Sequence, residues 1–314
     1  MALSSILFDG HGTLRSGWRF LIFTVLVVFA GGPAAFAAYA ALSFLFPEGP
    51  GIAVSLTVNS VVSAATALLA GWVCARYLEH LPFRSLGAAF TKGWLKNLVT
   101  GILLGGLTFA AASVIGLASG SLSFTLDPDA DFSAILTTLV ISFVIFFAAA
   151  AFEEALLRGY VLQTFVRSDL TLFAILFTSL IFATLHNANP GATWLSWLNT
   201  FLAGVWLAAA YLRTRDLWFP LGIHLAWNWV QGSVFGIEVS GLTEIIRSPV
   251  FREVDAGPAW VTGGDYGIEG GVVCTAAIVL SIAAIWFLPN LTPDPELAAM
   301  TSPPSPNVND RLTD

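Results

Sequence analysis

The stretch FSAILTTLVISFVIFFAAAAFEEALLR, residues 132–158, decides how this chain is read. From 132 to 152 it carries no charge, and a span needs about 20 mostly apolar residues. Backbone polar groups in a bilayer must pair within their own segment, so a run of this kind crosses as a helix. Working outward, eight such runs are present: 20–46, 52–75, 97–118, 132–152 with a continuation, 170–187, 193–212, 217–236 and 271–288. The alternating pattern of a membrane barrel is absent. The expected fold is all-α, a polytopic membrane helix bundle of about eight transmembrane helices.

Composition agrees. The chain has 314 residues, 56% hydrophobic and only 11% charged, where soluble domains are about 25% charged. The net charge of −7 comes from acids in loops and tail, and nothing resembles a nucleic-acid surface. Cys74 and Cys274 stand far apart in apolar segments and read as inert buried thiols. There is no zinc-ligand spacing and no disulfide framework. Arg15 and Arg19 precede an apolar run in which Ala35–Ala37 mimics a signal-peptidase site, but the run continues to Phe46, which favours an uncleaved first span.

Basic residues set the orientation. With the N-terminus inside, Arg15, Arg19, Arg76, Arg84, Lys92, Lys96, Arg158, Arg167, Arg213, Arg215 and Arg311 face the cytoplasm. Arg247 and Arg252 alone fall outside, so eleven of thirteen basic residues are inside. Both termini are then cytoplasmic. The acidic DPDAD at 127–131 and the loop 237–270 are external, and the Pro-rich tail after Pro289 is expected to be disordered. No internal repeat is visible. The chain divides by content into 1–131 (helices 1–3), 132–236 (the polar-bearing core, helices 4–7), 237–288 (external loop and helix 8) and 289–314 (tail).

Polar groups in the spans are few. Of twenty acidic residues only Glu153 and Glu154 lie within spans, and of four histidines only His186 and His224; His11 and His80 fall in cytoplasmic segments. An ionisable group at a span centre costs about 2.5–3.5 kcal/mol on insertion scales and is a functional candidate by default. Glu154 and Arg158 are four apart and share a helix face, whereas Glu153 points well away from Arg158. Glu154 is thus open to neutralisation by Arg158, as structural glue, and Glu153 is left for another task. His224 and Asn228 also stand four apart, as do Phe182 and His186, although a phenylalanine at this spacing is ordinarily packing. A turn at Asp169–Leu170 puts Glu153 and His186 level, each about 24 Å along its helix. His224 lies only about 12 Å from the turn at Arg215–Asp216 and meets Glu153 only if the two turns sit at different heights. A helix from Asp131 to Arg167 would be about 54 Å long, which requires protrusion, tilt, or a kink for which Gly159 is a candidate.

In order along the chain, EEALLRG, FATLH and HLAWN match the motifs EExxxR, FxxxH and HxxxN. Together they resemble the CPBP family, the CAAX proteases and bacteriocin-processing proteins also called Abi. The diagnostic region is about 132–236, and GPAWVTGGDYGIEGG in the external loop is similar to bacterial members. No motif position is missing. The resemblance implies an intramembrane endopeptidase in which Glu153 activates water with help from His186, while His224 and Asn228 stabilise the oxyanion. Glu154, Arg158 and Phe182 occupy motif positions read as structural. It also implies a bacterial plasma membrane, with a peptide or protein substrate that is membrane-associated and, for some members, lipidated.

The chemistry is coherent with those residue types. Amide hydrolysis needs a base for water, donors for the developing oxyanion and an acid for the leaving amine. No Gly-x-Ser-x-Gly is present and no cysteine lies near a histidine. The expectation is that no metal is required, with zinc as the alternative, since the resembled family has been described both as glutamate-dependent without metal and as metalloproteases. No metal is required by the first description, and in the second Glu153, His186 and His224 would hold zinc. The expected cavity faces the cytoplasmic side. Two other classes compete: a non-catalytic immunity or scaffold protein binding a peptide in the same cavity, and a transporter, which would show repeat symmetry.

Overall fold

The structure is a computed structural model that describes residues 3–10, 12–126, 131–289 and 291–303. His11, the 127–130 part of the acidic loop and the distal tail with Arg311 lie outside the described residues. After a short helix α1 (Leu3–Leu7), the chain forms α2 (Ser16–Leu45), α3 (Ile52–Leu78) and α4 (Trp94–Ala118). Strand β1 (Leu122–Thr125) leads to α5 (Phe132–Glu154), a π-wound stretch (Ala155–Val161) and α6 (Leu162–Val166), which run on as one 35-residue rod. There follow α7 (Thr171–Leu185), α8 (Trp194–Thr214) and α9 (Trp218–Trp229), the last extended by a second π-wound stretch (Val230–Val234). Strand β2 (Arg252–Asp255), α10 (Ala259–Thr262), α11 (Val272–Phe287) and α12 (Pro295–Thr301) complete the described chain.

The eight apolar runs are therefore eight helical rods of a polytopic membrane bundle. Six are long and apolar enough to cross a membrane, and α11 is shorter. The outer faces of the rods are apolar: Phe29, Phe36, Leu107 and Leu172 are two-thirds exposed or more, as suits contact with lipid.

Close packing around α9 places the site. Gly101 and Gly105 on α4 face Gly222 on α9. A Cβ on Gly101 would strike the Phe219 carbonyl, one on Gly105 the Ile223 carbonyl, and one on Gly222 the Leu98 carbonyl. Small residues at such crossings let helix backbones touch, and α9 is seated hard against α4 one residue away from His224. The start of α9 is held by Asp216. Its carboxylate accepts from the Trp218 amide at 3.0 Å, the Phe219 amide at 3.2 Å and the Asn97 side chain at 2.5 Å. Carboxylates at a helix start satisfy amides that have no partner within the helix.

At the end of the bundle near the chain termini, α2, α3 and α6 are tied by buried charges. Glu79 pairs with Arg19 and, at 2.8 Å, with Arg167, and Arg19 also donates to Ser168 at 2.8 Å. Burial pushes the Glu79 carboxyl up, but the two guanidiniums outweigh burial and hold it below the usual range. At the other end β1 and β2 pair antiparallel, with Leu122 opposite Asp255, joining the two loops expected to be external.

The tail departs from the expected disorder over its first part. Asp294 caps α12 by accepting from the Glu296 and Leu297 amides at 3.0 and 3.3 Å. Leu291 and Leu297 are buried, and Arg215 donates to the Thr301 carbonyl at 3.0 Å. Two leucines and a capping aspartate are enough to dock this segment, although its overall composition is polar.

Candidate active site

Three rods bring the polar residues together. Glu153 and Glu154 end the regular part of α5, His186 follows the last turn of α7, and His224 and Asn228 lie on α9. The Glu153 Oε2 atom is 4.0 Å from His186 Nε2 and 3.7 Å from His224 Nε2. The height mismatch that made His224 awkward is absorbed as the sequence required. Glu153 stands about 20 Å from the end of α6 and His224 about 9 Å from the start of α9, so the α5–α6 rod reaches further toward the terminal end than α9 does. The irregularity expected near Gly159 is present as π winding. The Leu162 amide bonds to the Leu157 carbonyl, five residues back. Buried Gln163 donates to the Arg158 and Gly159 carbonyls at 3.2 and 2.7 Å. π turns frequently mark functional sites. Here one follows the glutamate pair and the other follows Asn228.

Each imidazole is fixed through its Nδ1 atom. His186 Nδ1 is 2.8 Å from the Phe182 carbonyl. A carbonyl only accepts, so Nδ1 donates and a neutral His186 presents a bare Nε2 toward Glu153. His224 Nδ1 is 3.0 Å from Glu154 Oε1. Glu154 therefore serves two cations or donors with one oxygen, because Arg158 Nη1 lies 3.0 Å from the same atom. Arg158 also donates to the Gly204 carbonyl at 3.1 Å. The helical spacing foretold the Glu154–Arg158 pair. The contact with His224 crosses between helices and has no signature within either one. Phe182 touches three members at once: its ring centroid is 4.6 Å from that of His186 and 5.9 Å from that of His224, and the Arg158 guanidinium sits 5.1 Å above it.

Burial separates the two carboxylates. The Glu154 and Arg158 side chains are 1% and 0% exposed, whereas Glu153 is 25% exposed. Glu153, His186, His224 and Asn228 line one chamber of about 970 Å³, counting its part open to the outside. The cavity expected on the cytoplasmic side lies instead in the half carrying the 186–193 and 237–271 loops. Its walls include Leu56 of α3, Phe146 of α5, Asn199 of α8 and Ser240 and Glu269 of the long loop. The loop folds back over the bundle, with Asn199 Nδ2 donating to the Glu269 and Gly271 carbonyls at 2.8 and 2.9 Å.

Glu269 lines the chamber, and sequence reasoning missed it. It sits in a loop without periodicity, and only its place in GIEGG hinted at it. As for metal, no group of three or more His, Cys, Asp or Glu among the described residues is arranged to hold an ion.

No curated protein and no solved structure gives a significant match to the chain. Residues 134–230, which contain Glu153, Glu154, Arg158, Phe182, His186, His224 and Asn228, match the family described as Type II CAAX prenyl endopeptidase Rce1-like, and all three motifs lie inside the matched stretch.

Proposed function

We propose that the chain is an intramembrane endopeptidase that hydrolyses a peptide bond in a membrane-associated peptide or protein. The observation that carries this reading is the convergence of both His Nε2 atoms on Oε2 of Glu153, whose side chain is partly exposed in the chamber. Glu153 takes a proton from water, and the neutral His186 Nε2 orients that water from the other side. The water oxygen attacks the carbonyl carbon. His224 Nε2–H and the Asn228 side-chain amide donate to the oxyanion as it forms. His224 donates from Nε2 while Nδ1–H stays on Glu154, so it acts as the imidazolium. With Arg158, Glu154 and Glu153 the cluster then sums to zero charge, which lowers the cost of burying it. As the C–N bond breaks, Glu153 passes its proton to the leaving amine.

The lipidated or unmodified nature of the substrate, the plasma-membrane location in a bacterium and the cytoplasmic placement of both termini are parts of this proposal. They are supported by the family match, the basic-residue distribution and the apolar rods. The test is cleavage of a candidate membrane peptide by purified protein in bilayer discs, beside Glu153→Ala and with a chelator. Cleavage by the parent alone, unchanged by chelator, is expected. Equal cleavage by Glu153→Ala would sink the mechanism, and no cleavage of any peptide by well-folded parent would favour a binding role for the chamber.

A further inference from the structure

The chamber has a second anionic point, remote in sequence from the motifs. Glu269 Oε1 accepts from the Trp227 indole N–H at 3.0 Å, and Oε2 accepts from the Ser240 amide and hydroxyl, both at 2.7 Å. These donors are neutral, and among the described residues no arginine, lysine or histidine pairs with Glu269. The carboxylate is held rigidly at the chamber wall without a compensating charge. Trp227 packs edge-to-face with Trp206, their ring centroids 5.8 Å apart. Trp206 also lines the chamber, is 2% exposed, and its indole N–H is buried with no hydrogen-bond partner.

We propose that this corner is a specificity subsite for a peptide residue with a cationic side chain, lysine or arginine. The inference deepens the peptidase reading and takes from it only that the ligand is a peptide. A carboxylate beside two indoles suits a cation, which gains from the charge and from the ring faces together. The same peptide residue carries a backbone carbonyl, an acceptor of the kind the unpartnered Trp206 N–H lacks. A partly dehydrated anion with only neutral donors is costly, and a cationic ligand group offsets that cost.

The subsite also has a defined distance from the chemistry. Trp227 is three residues beyond His224 on α9, about 4.5 Å further along the helix axis. An extended peptide advances about 3.3–3.6 Å per residue. The cationic residue therefore falls within one or two positions of the scissile bond, on the side toward the long loop.

Binding decides the matter independently of cleavage. The probes are hexapeptide amides of leucine and alanine with one lysine at each position in turn, and the same set with norleucine. They are titrated against full-length Glu153→Ala protein in bilayer discs, so that Glu269 is the remaining chamber carboxylate outside the Glu154–Arg158 pair. We expect the best lysine peptide to bind about 10-fold or more tightly than its norleucine counterpart. That ratio should fall to near one when Glu269→Gln is added, since glutamine keeps an acceptor for Trp227 but loses the charge. Ser240→Ala, which loosens the carboxylate without removing it, should retain a clear preference. Equal affinity for lysine and norleucine peptides at every position, or a preference that survives Glu269→Gln, overturns the proposal. A lysine preference in a protein that cleaves nothing would leave the subsite standing and remove the peptidase reading.

Discussion

Glu153 and Glu154 are chemically identical neighbours with opposite environments. Glu154 points into the bundle, where one oxygen faces Arg158 and His224 and the side chain is 1% exposed. Glu153, turned by about 100° on the same helix, faces the chamber at 25% exposure, with the two imidazoles 3.7 and 4.0 Å away. The difference teaches how position divides one pair of acids: the inner one is committed to neighbouring side chains, and the outer one opens onto the chamber. Position separates the two, because residue type cannot.

The comparison can be broken most decisively by removing the outer acid. Glu153→Gln should lower cleavage about 10²–10⁴-fold, the usual worth of a general base, while thermal stability in detergent stays close to the parent value. Removing the inner acid should do the reverse in kind. Glu154→Ala strands the buried Arg158 charge, and such strandings cost about 3–5 kcal/mol, read as a fall in unfolding midpoint during denaturant titration. Adding Arg158→Leu to Glu154→Ala should restore part of that stability without restoring cleavage, since His224 would still lack its Nδ1 partner. Equal stability losses for Glu153→Gln and Glu154→Ala would erase the distinction between the two acids.

A milder test moves the partner helix instead of the acids. Gly222→Ala forces a methyl against the Leu98 carbonyl, and overpacking of this sort costs about 1–3 kcal/mol. The shift of α9 should carry His224 away from both glutamates and lower the turnover rate more than substrate affinity, as a comparison of kcat with KM will show. The smallest effect concerns the loop that roofs the chamber. Burial first, then the neighbouring Glu238 and Asp255, push the Glu253 carboxyl up to about 7. Its folded value lies above its unfolded value of 4.5, so its contribution to stability is full below about pH 4.5 and is lost as pH rises through about 7. Hydrogen exchange of the β1–β2 ribbon should therefore quicken between about pH 5 and 8 beyond the intrinsic rate, and Glu253→Gln should flatten that extra rise.

Much of the site was legible because its members obey rules that act within one helix. An uncharged run marks a span, a spacing of four marks a shared face, and equal distances from a turn mark equal depth. Those rules placed Glu153, His186 and the Glu154–Arg158 pair, and left His224 conditional on the relative heights of two turns. What stayed hidden depends on contacts between elements. The Glu154–His224 bond, the position of Glu269 and the facing of the chamber toward the long loop all arise from how rods and loops stack. The docking of α12 was hidden for another reason: composition averages over a segment, whereas two buried leucines and a cap act individually. The spacing of Gly101 and Gly105 by four is a local sign of close helix approach, but it does not say which helix comes close.

The π-wound stretch after Glu154 has a consequence for how the chain tolerates change in length. Each residue there advances the rod and rotates the remainder of it by roughly a quarter turn. Deleting one would leave both acids in place but swing Arg167 off Glu79 and strip Gln163 from the carbonyls it covers. The number of residues between the acid pair and the basic clasp is therefore fixed by contacts at both ends of the stretch, whatever residues fill it.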